Sequence, residues 1–210
     1  MKLFITFIVF FFLCPKCFTQ ISAVTNNGDE VILYNNGTWK YADSAVSENE
    51  DIKENPANFS KNNDAGFQLK SAKVKMAISF NPKKWSFEKG GQSDVAEYSF
   101  TLKGKDAYGM LISERTEIPV ESLIDIAVKN ARDAAPDTKI IMKEYRIVNN
   151  QKVLFMQMNG TMQGIKFSYL GYYYSNENGT VQFVTYTSQN LLGENKNEML
   201  EFLNGFEVLN

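Results

Sequence analysis

Hydrophobic and polar positions alternate most clearly between residues 140 and 189. There the chain reads I-I-M-K-E-Y-R-I-V, then V-L-F-M-Q-M-N, then I-K-F-S-Y-L-G-Y-Y-Y, then V-Q-F-V-T-Y-T. These four runs are rich in β-branched and aromatic residues. Asn149-Asn150-Gln151, Met162-Gln163-Gly164 and Asn176-Glu177-Asn178-Gly179 separate them. Runs of this kind closed by Asn and Gly are the pattern of consecutive antiparallel strands joined by tight turns. The spacing predicts a four-stranded meander.

Upstream, residues 67–80 give one or two strands, including M-A-I-S-F at 76–80. Pro82 ends the pairing, and Trp85 is expected to be buried behind that strand. Lys89-Gly90-Gly91-Gln92 reads as a loop. Residues 95–102 and 107–116 read as a hairpin across Gly104-Lys105-Asp106. Pro119 opens a helix whose apolar positions, Val120, Leu123, Ile124, Ala127, Val128 and Ala131, form one stripe at helical spacing. Pro at the first turn and Glu121 near the positive end suit a helix start. Pro136 stops it. After the meander, residues 194–204 read as a second helix burying Met199, Leu200 and Leu203, with Gly205 at its end. Phe206, Glu207 and Val208 return as a short strand. This order predicts an α+β fold, an antiparallel sheet flanked by helices.

The N-terminal third behaves differently. Asn26-Asn27-Gly28-Asp29 and Asn35-Asn36-Gly37-Thr38 are hairpin-turn chemistry, because Asn and Gly tolerate positive φ. They predict a β-ribbon over 20–42, with strands near 21–25, 30–34 and 38–41. A ribbon this small is marginal alone. Its V-I-L-Y-N-N-G-T-W-K-Y segment resembles short units at the start of secreted proteins of some Gram-negative bacteria. Two readings of Trp39 follow: a docking contact, or a ring packed on the main domain. Residues 43–66 are acidic, Asn-rich and without periodicity, which predicts a flexible linker. Within them, Asp43-Ser44-Ala45 resembles an acceptor triplet for bacterial O-glycosylation. The main domain is then 67–210.

Met1-Lys2 followed by an uncharged run from Leu3 to Leu13 fits a secretory signal over 1–19, too short for the roughly 20 residues a membrane span needs. Cleavage is expected near Thr19 and Gln20, with Ala23 as the second candidate. Cys14 and Cys17 form C-P-K-C inside this segment, away from any redox fold. A lipid-anchor signal wants a small residue before its Cys, and Leu13 and Lys16 stand there. An exported chain, periplasmic or extracellular and not lipid-anchored, is therefore expected. Its mature form has no Cys and no integral span.

Composition narrows the chemistry. No His occurs anywhere. This removes Ser-His-Asp and Cys-His catalysis and His-ligated metal sites. Carboxylate pairs, Lys, Tyr and oxygen-only metal sites remain. Without Lys2 and Lys16 the chain has 20 basic and 24 acidic residues, a net charge of −4. Six acids and two lysines of that total fall within 43–64, and the main domain is near neutral, so nucleic acid is not an expected partner. The apolar fraction of 44% supports a real core.

Four candidate sites stand out. Ser86-Phe87-Glu88-Lys89 matches the S-x-x-K dyad, but Gly90-Gly91 follows and no helix start is indicated. Glu114, Glu117, Glu121 and Asp125 cluster at the helix entry; the last three share one helical face, which reads first as a solvated face and second as a carboxylate pair or an oxygen-ligated cation site. Tyr169, Tyr172, Tyr173 and Tyr174 form the densest aromatic group, with Tyr172 and Tyr174 on one face and Tyr169 and Tyr173 on the other. Lys83, Lys84 and Lys89 surround Trp85. The binding residues expected are Tyr172, Tyr174, Trp85 and Trp39. No catalytic residue, metal or cofactor is expected.

The strand ending in Phe80-Asn81-Pro82-Lys83-Lys84-Trp85, the long middle helix, the Tyr-rich strand and the closing Phe202-Leu203-Asn204-Gly205-Phe206 together resemble the PsbP-like superfamily over about 67–210. That superfamily includes a photosystem extrinsic subunit, a Ran-binding nuclear protein and DcrB-type periplasmic lipoproteins. The resemblance implies a non-enzymatic α/β/α sandwich that assists or binds a larger assembly. The missing lipobox departs from the DcrB type. The leading expectation is thus an exported, non-catalytic protein that binds an envelope protein or glycan. A carboxylate-based hydrolase of cell-wall or polysaccharide substrate is the alternative, and a structural envelope protein acting through its ribbon is a third reading.

Overall fold

The computed structural model describes residues 21–24, 30–33, 39–41, 52–91 and 95–209. The expected signal, both Asn-Gly turns of the ribbon and Asp43-Ser44-Ala45 lie outside them. The chain divides into two units, 1–44 and 45–210. In the first, β1 (Ile21–Val24), β2 (Glu30–Leu33) and β3 (Trp39–Tyr41) pair antiparallel in that order, with Leu33 opposite both Ile21 and Trp39.

The second unit is α+β. Its main sheet has eight strands: β4 (Lys53–Phe59), β7 (Trp85–Lys89), β8 (Tyr98–Leu102), β9 (Ala107–Glu114), β10 (Lys139–Val148), β11 (Gln151–Met162), β12 (Ile165–Asn176) and β13 (Gly179–Ser188). Their order in space is β4-β10-β11-β12-β13-β9-β8-β7. The meander is the centre of this sheet. Its first turn is two asparagines, Asn149 and Asn150, at φ of 47° and 66°, the left-handed pair that a tight hairpin needs. A second sheet, β14-β6-β5, is built from β5 (Phe67–Lys70), β6 (Met76–Phe80) and β14 (Phe206–Val208). Two helices complete the unit, α1 (Val120–Ala134) and α2 (Leu192–Leu203).

Both faces of the main sheet are covered, and β11 shows how. Leu154, Met156 and Met158 join the stripe of α1, Leu123, Ile124, Ala127 and Val128. The alternate residues Val153 and Phe155 join Met199, Phe202 and Leu203 of α2, with Met76, Ile78 and Phe206 of the small sheet. A strand buried on both faces reads as a continuous apolar run, which is why V-L-F-M-Q-M carries little alternation.

Three expectations change. Residues 53–59, expected within a flexible linker, are β4, and β4 pairs parallel with β10 in a sheet otherwise antiparallel. No apolar periodicity signals this strand. It is held by backbone pairing at an edge, where Pro56 is tolerated, and by side chains: Asn55 donates to Glu144 at 2.9 Å, Lys152 meets Glu54 at 2.5 Å, and Phe59 packs under Arg146. Trp85, expected behind the preceding strand, and Lys89, expected in a loop, are the two ends of β7, because W-S-F-E-K alternates like a strand. Helix α2 begins two residues before the expected start and buries Phe202 and Asn195 rather than Leu200, which is half-buried.

Candidate functional site: a tyrosine ladder on the main sheet

Antiparallel pairing sets residues from neighbouring strands directly opposite one another. β13 lies between β9 and β12, and its register places Tyr186 opposite both Tyr108 and Tyr169. Tyr108 and Tyr186 stack with centroids 5.5 Å apart at 28°. Tyr186 and Tyr169 follow at 5.8 Å and 37°, and Phe167 extends the row at 6.3 Å from Tyr169. All four are half-buried. They lie on the side of the sheet that carries α1, since Tyr169, Met110 and Val184 border the α1 cluster. The row continues past the strands α1 covers, β11 and β12.

The hydroxyls are all held neutral. A hydrogen bond with Asp106, then burial, raises the pKa of Tyr108. Burial raises Tyr169. Burial, then the neighbouring Tyr169 and Tyr108, raises Tyr186. The ladder therefore presents ring edges and uncharged hydroxyls able to donate and accept. Tyr108 and Tyr186 stack, and Tyr169 and Phe167 follow in tilted contacts, so the rings cover one another along the row.

Tyr173, on the same face of β12, lies buried beneath α1 instead. Its ring lies over Gly171, where an added Cβ would come within 3.0–3.2 Å of it, so any larger residue there would press on the ring. Burial holds the Tyr173 hydroxyl well above its usual 10.0. The folded state thus favours the protonated form. That contribution is fully present below pH 10 and is lost as pH rises above the unfolded value. Urea titrations between pH 9 and 11.5 will show stability falling more gently in Tyr173→Phe than in the wild type; parallel declines would remove Tyr173 from the account.

The structure puts the expected binding residues elsewhere. Tyr172 is 1% exposed on the opposite face, and its hydroxyl donates to Asn204 at 2.6 Å. Trp85 is 3% exposed and stacked on Phe202 at 4.1 Å. Neither reaches a ligand at the surface, because α2 needs these rings to close its core. Tyr174 is half-buried and packs on Phe206 at 5.5 Å. The side chain of Trp39 lies outside the described residues. Tyr108 and Tyr186 escaped the sequence reading because neither sits in an aromatic cluster: Tyr108 is the single aromatic of β9, and β13 holds only Phe183 besides Tyr186. Alternation marks both as half-exposed, but only the β12-β13-β9 order aligns them.

Other chemistry is poorly placed. Ser86 and Lys89 lie on a strand, where a separation of three puts them on opposite faces. Glu121 accepts from the Tyr145 hydroxyl at 3.2 Å. Among the described residues, two carboxyls have displaced pKa values, Asp137 and Glu207. In each, burial acts upward but hydrogen bonds prevail and hold the carboxyl low, from Thr161 and from Lys61 and Ser79 respectively. A general acid needs the reverse. A niche beside Lys84, Trp85 and Glu201 measures about 20 Å³, room for one water. No three His, Cys, Asp or Glu side chains converge among the described residues, and none of their helices is long and apolar enough to cross a membrane.

No family model matches the chain, and no curated protein matches it. Solved structures do. Cyanobacterial PsbP from Synechocystis sp. PCC 6803 aligns with a TM-score of 0.53 at 15% identity, over 68% of this chain and 91% of that one. A Bacteroides thetaiotaomicron VPI-5482 protein aligns at 0.47 and 8% identity, over 70% of this chain and 49% of that one. The Pseudomonas aeruginosa protein PA94, of unknown function, aligns at 0.40 and 9% identity, over 63% and 89%. The 45–210 unit is therefore similar in fold to cyanobacterial PsbP, a likeness of α+β architecture alone.

Proposed function

We propose that this chain is an exported, non-catalytic binding domain of the bacterial envelope, and that the tyrosine ladder contacts a protein partner. One observation carries the reading: a row of half-buried tyrosines in ring-to-ring contact, with neutral hydroxyls. Tyrosine supplies broad amphipathic contact area at a low entropic cost, and such residues anchor protein interfaces. A glycan site would offer open ring faces, whereas here the rings cover one another along the row. Export rests on the N-terminal signal pattern. The finer form of the family resemblance, an α/β/α sandwich of the DcrB type, belongs to the same proposal. Its support is that α1 and α2 pack on opposite faces of one sheet.

Photo-cross-linking tests this. A benzophenone amino acid replaces Tyr186 in the full chain expressed in a Gram-negative envelope, with the exposed α1 position Lys129 as control. A discrete protein adduct from 186 and none from 129 is the expected result. In a second arm, Tyr186→Ala should weaken recovery of the same partner by roughly 30-fold, the effect of an interface anchor. Adducts to sacculus glycan would shift the ligand class, and equal labelling at both positions would sink the proposal.

A further inference from the structure

The tyrosine ladder also holds a chemistry of its own, independent of any partner. Among the described residues two tyrosine pairs touch, Tyr108–Tyr186 and Tyr186–Tyr169. The first is the closer and the flatter, 5.5 Å at 28° against 5.8 Å at 37°. Strand register fixes it, because Tyr108 on β9 and Tyr186 on β13 stand directly opposite each other. Both rings are half-buried, so part of each stays in solvent.

The two pairs differ in where a proton can go. The Tyr108 hydroxyl is hydrogen-bonded to Asp106, just before β9. At Tyr169 burial alone acts on the hydroxyl. A phenol loses an electron more readily when a base stands ready for its proton. Competing donors are few. The sequence has no His, its two Cys are at 14 and 17, and Trp85 is buried against Phe202. Met110 shares the face of Tyr108 on β9, but a thioether is oxidised by taking up an oxygen atom rather than by losing a single electron.

We infer that Tyr108 and Tyr186 form an oxidative cross-link site, where a one-electron oxidant (a high-valent metal centre) joins β9 to β13 as an intrachain dityrosine. Each phenol gives one electron to the oxidant. The Tyr108 proton passes to Asp106 and the Tyr186 proton to water. The two ring radicals couple through the carbons ortho to oxygen, forming one C–C bond. The hydrogens on those carbons then move to the oxygens as the rings regain aromaticity. The chain has lost two hydrogens in all, and two equivalents of oxidant have each gained an electron. Stacking suits the coupling, since it sets one ring over the other. The bond staples two strands whose connection runs through α1, β10, β11 and β12.

The probe is ruthenium(III) tris-bipyridine, generated by light and persulfate and applied briefly to the dilute full chain. Dityrosine fluorescence and peptide mapping read the product. The expected product is a monomer lighter by two hydrogens and linked between 108 and 186. Such links should outnumber links between chains by at least about a hundredfold, because paired rings react as though highly concentrated. Tyr186→Phe keeps the ring packing and should remove the monomer fluorescence, whereas Tyr169→Phe should retain it. Asp106→Asn should slow the 108–186 link by at least about tenfold, less than a positioned base typically supplies, and should not slow the 186–169 link. Linked chains should unfold at higher urea than unlinked ones, since the bond closes a long loop. A 186–169 link that matched or exceeded 108–186 would overturn the inference. So would links formed chiefly between chains, or monomer fluorescence that survives Tyr186→Phe. An unchanged rate in Asp106→Asn would overturn the role of Asp106.

Discussion

Phe202→Ala will lower the stability of the 45–210 unit by about 3–5 kcal/mol, the range for losing a buried aromatic ring. Phe202 is the hub of the α2-side core. Its ring stacks on Trp85 at 4.1 Å and meets Phe100 and Phe183 at 5.0 Å and Phe80 at 5.6 Å. These partners come from β7, β8, β13 and β6, so one side chain ties both sheets to α2. The cavity left by alanine borders five secondary-structure elements and cannot collapse without moving several of them. Chemical denaturation of the purified chain measures the loss. Leu200→Ala, one helix face away and half-buried, should cost much less. Similar costs for the two would show that α2 is not anchored as described.

Arg146→Ala should rank next, at about 3–5 kcal/mol, the cost of stranding one partner of a buried ion pair. Arg146 donates to Glu144 at 2.6 Å, and the two side chains are 8% and 13% exposed. The guanidinium also lies 3.6 Å from the Phe155 centroid and 4.7 Å from that of Phe59. The substitution removes the charge partner of Glu144 and the bridge between β11 and β4 together. Arg146→Met/Glu144→Gln keeps the volume and removes both charges, so it should recover much of the loss. If the double variant were as unstable as Arg146→Ala, the stranded charge of Glu144 would not be the cause of the loss.

The elements legible in the sequence and the strand that was not, β4, differ in kind. The meander, α1 and the closing strand were legible because each buries an apolar face whose period is local: four strand-like runs, a stripe from Val120 to Ala131, and a terminal F-E-V. β4 was not legible, because K-E-N-P-A-N-F has no such period. Its place is set by the β10 edge and by Glu144, Arg146 and Lys152, all some ninety residues away. The tyrosines show the same limit within one strand. Alternation separated Tyr172 and Tyr174 from Tyr169 and Tyr173, but which face α2 would cover depends on Phe202 and Phe206. α2 closed over the first pair, and Tyr169 was left for the ladder.

The parallel pairing of β4 with β10 also imposes an order of events on the chain. Every other pairing within the main sheet joins strands that a hairpin turn or a shorter crossover brings together. β4 alone must wait for residues some ninety positions downstream, Glu144 to Val148, before it has any partner. During synthesis it leaves the ribosome early and stays unpaired until most of the domain exists. Closing so long a loop has an entropic cost that the local hairpins do not meet. The β4–β10 pairing therefore closes the longest loop of the main sheet. The polar sequence of β4 suits that wait, because K-E-N-P-A-N-F carries little apolar surface for an unfolded chain to misassociate while the meander forms.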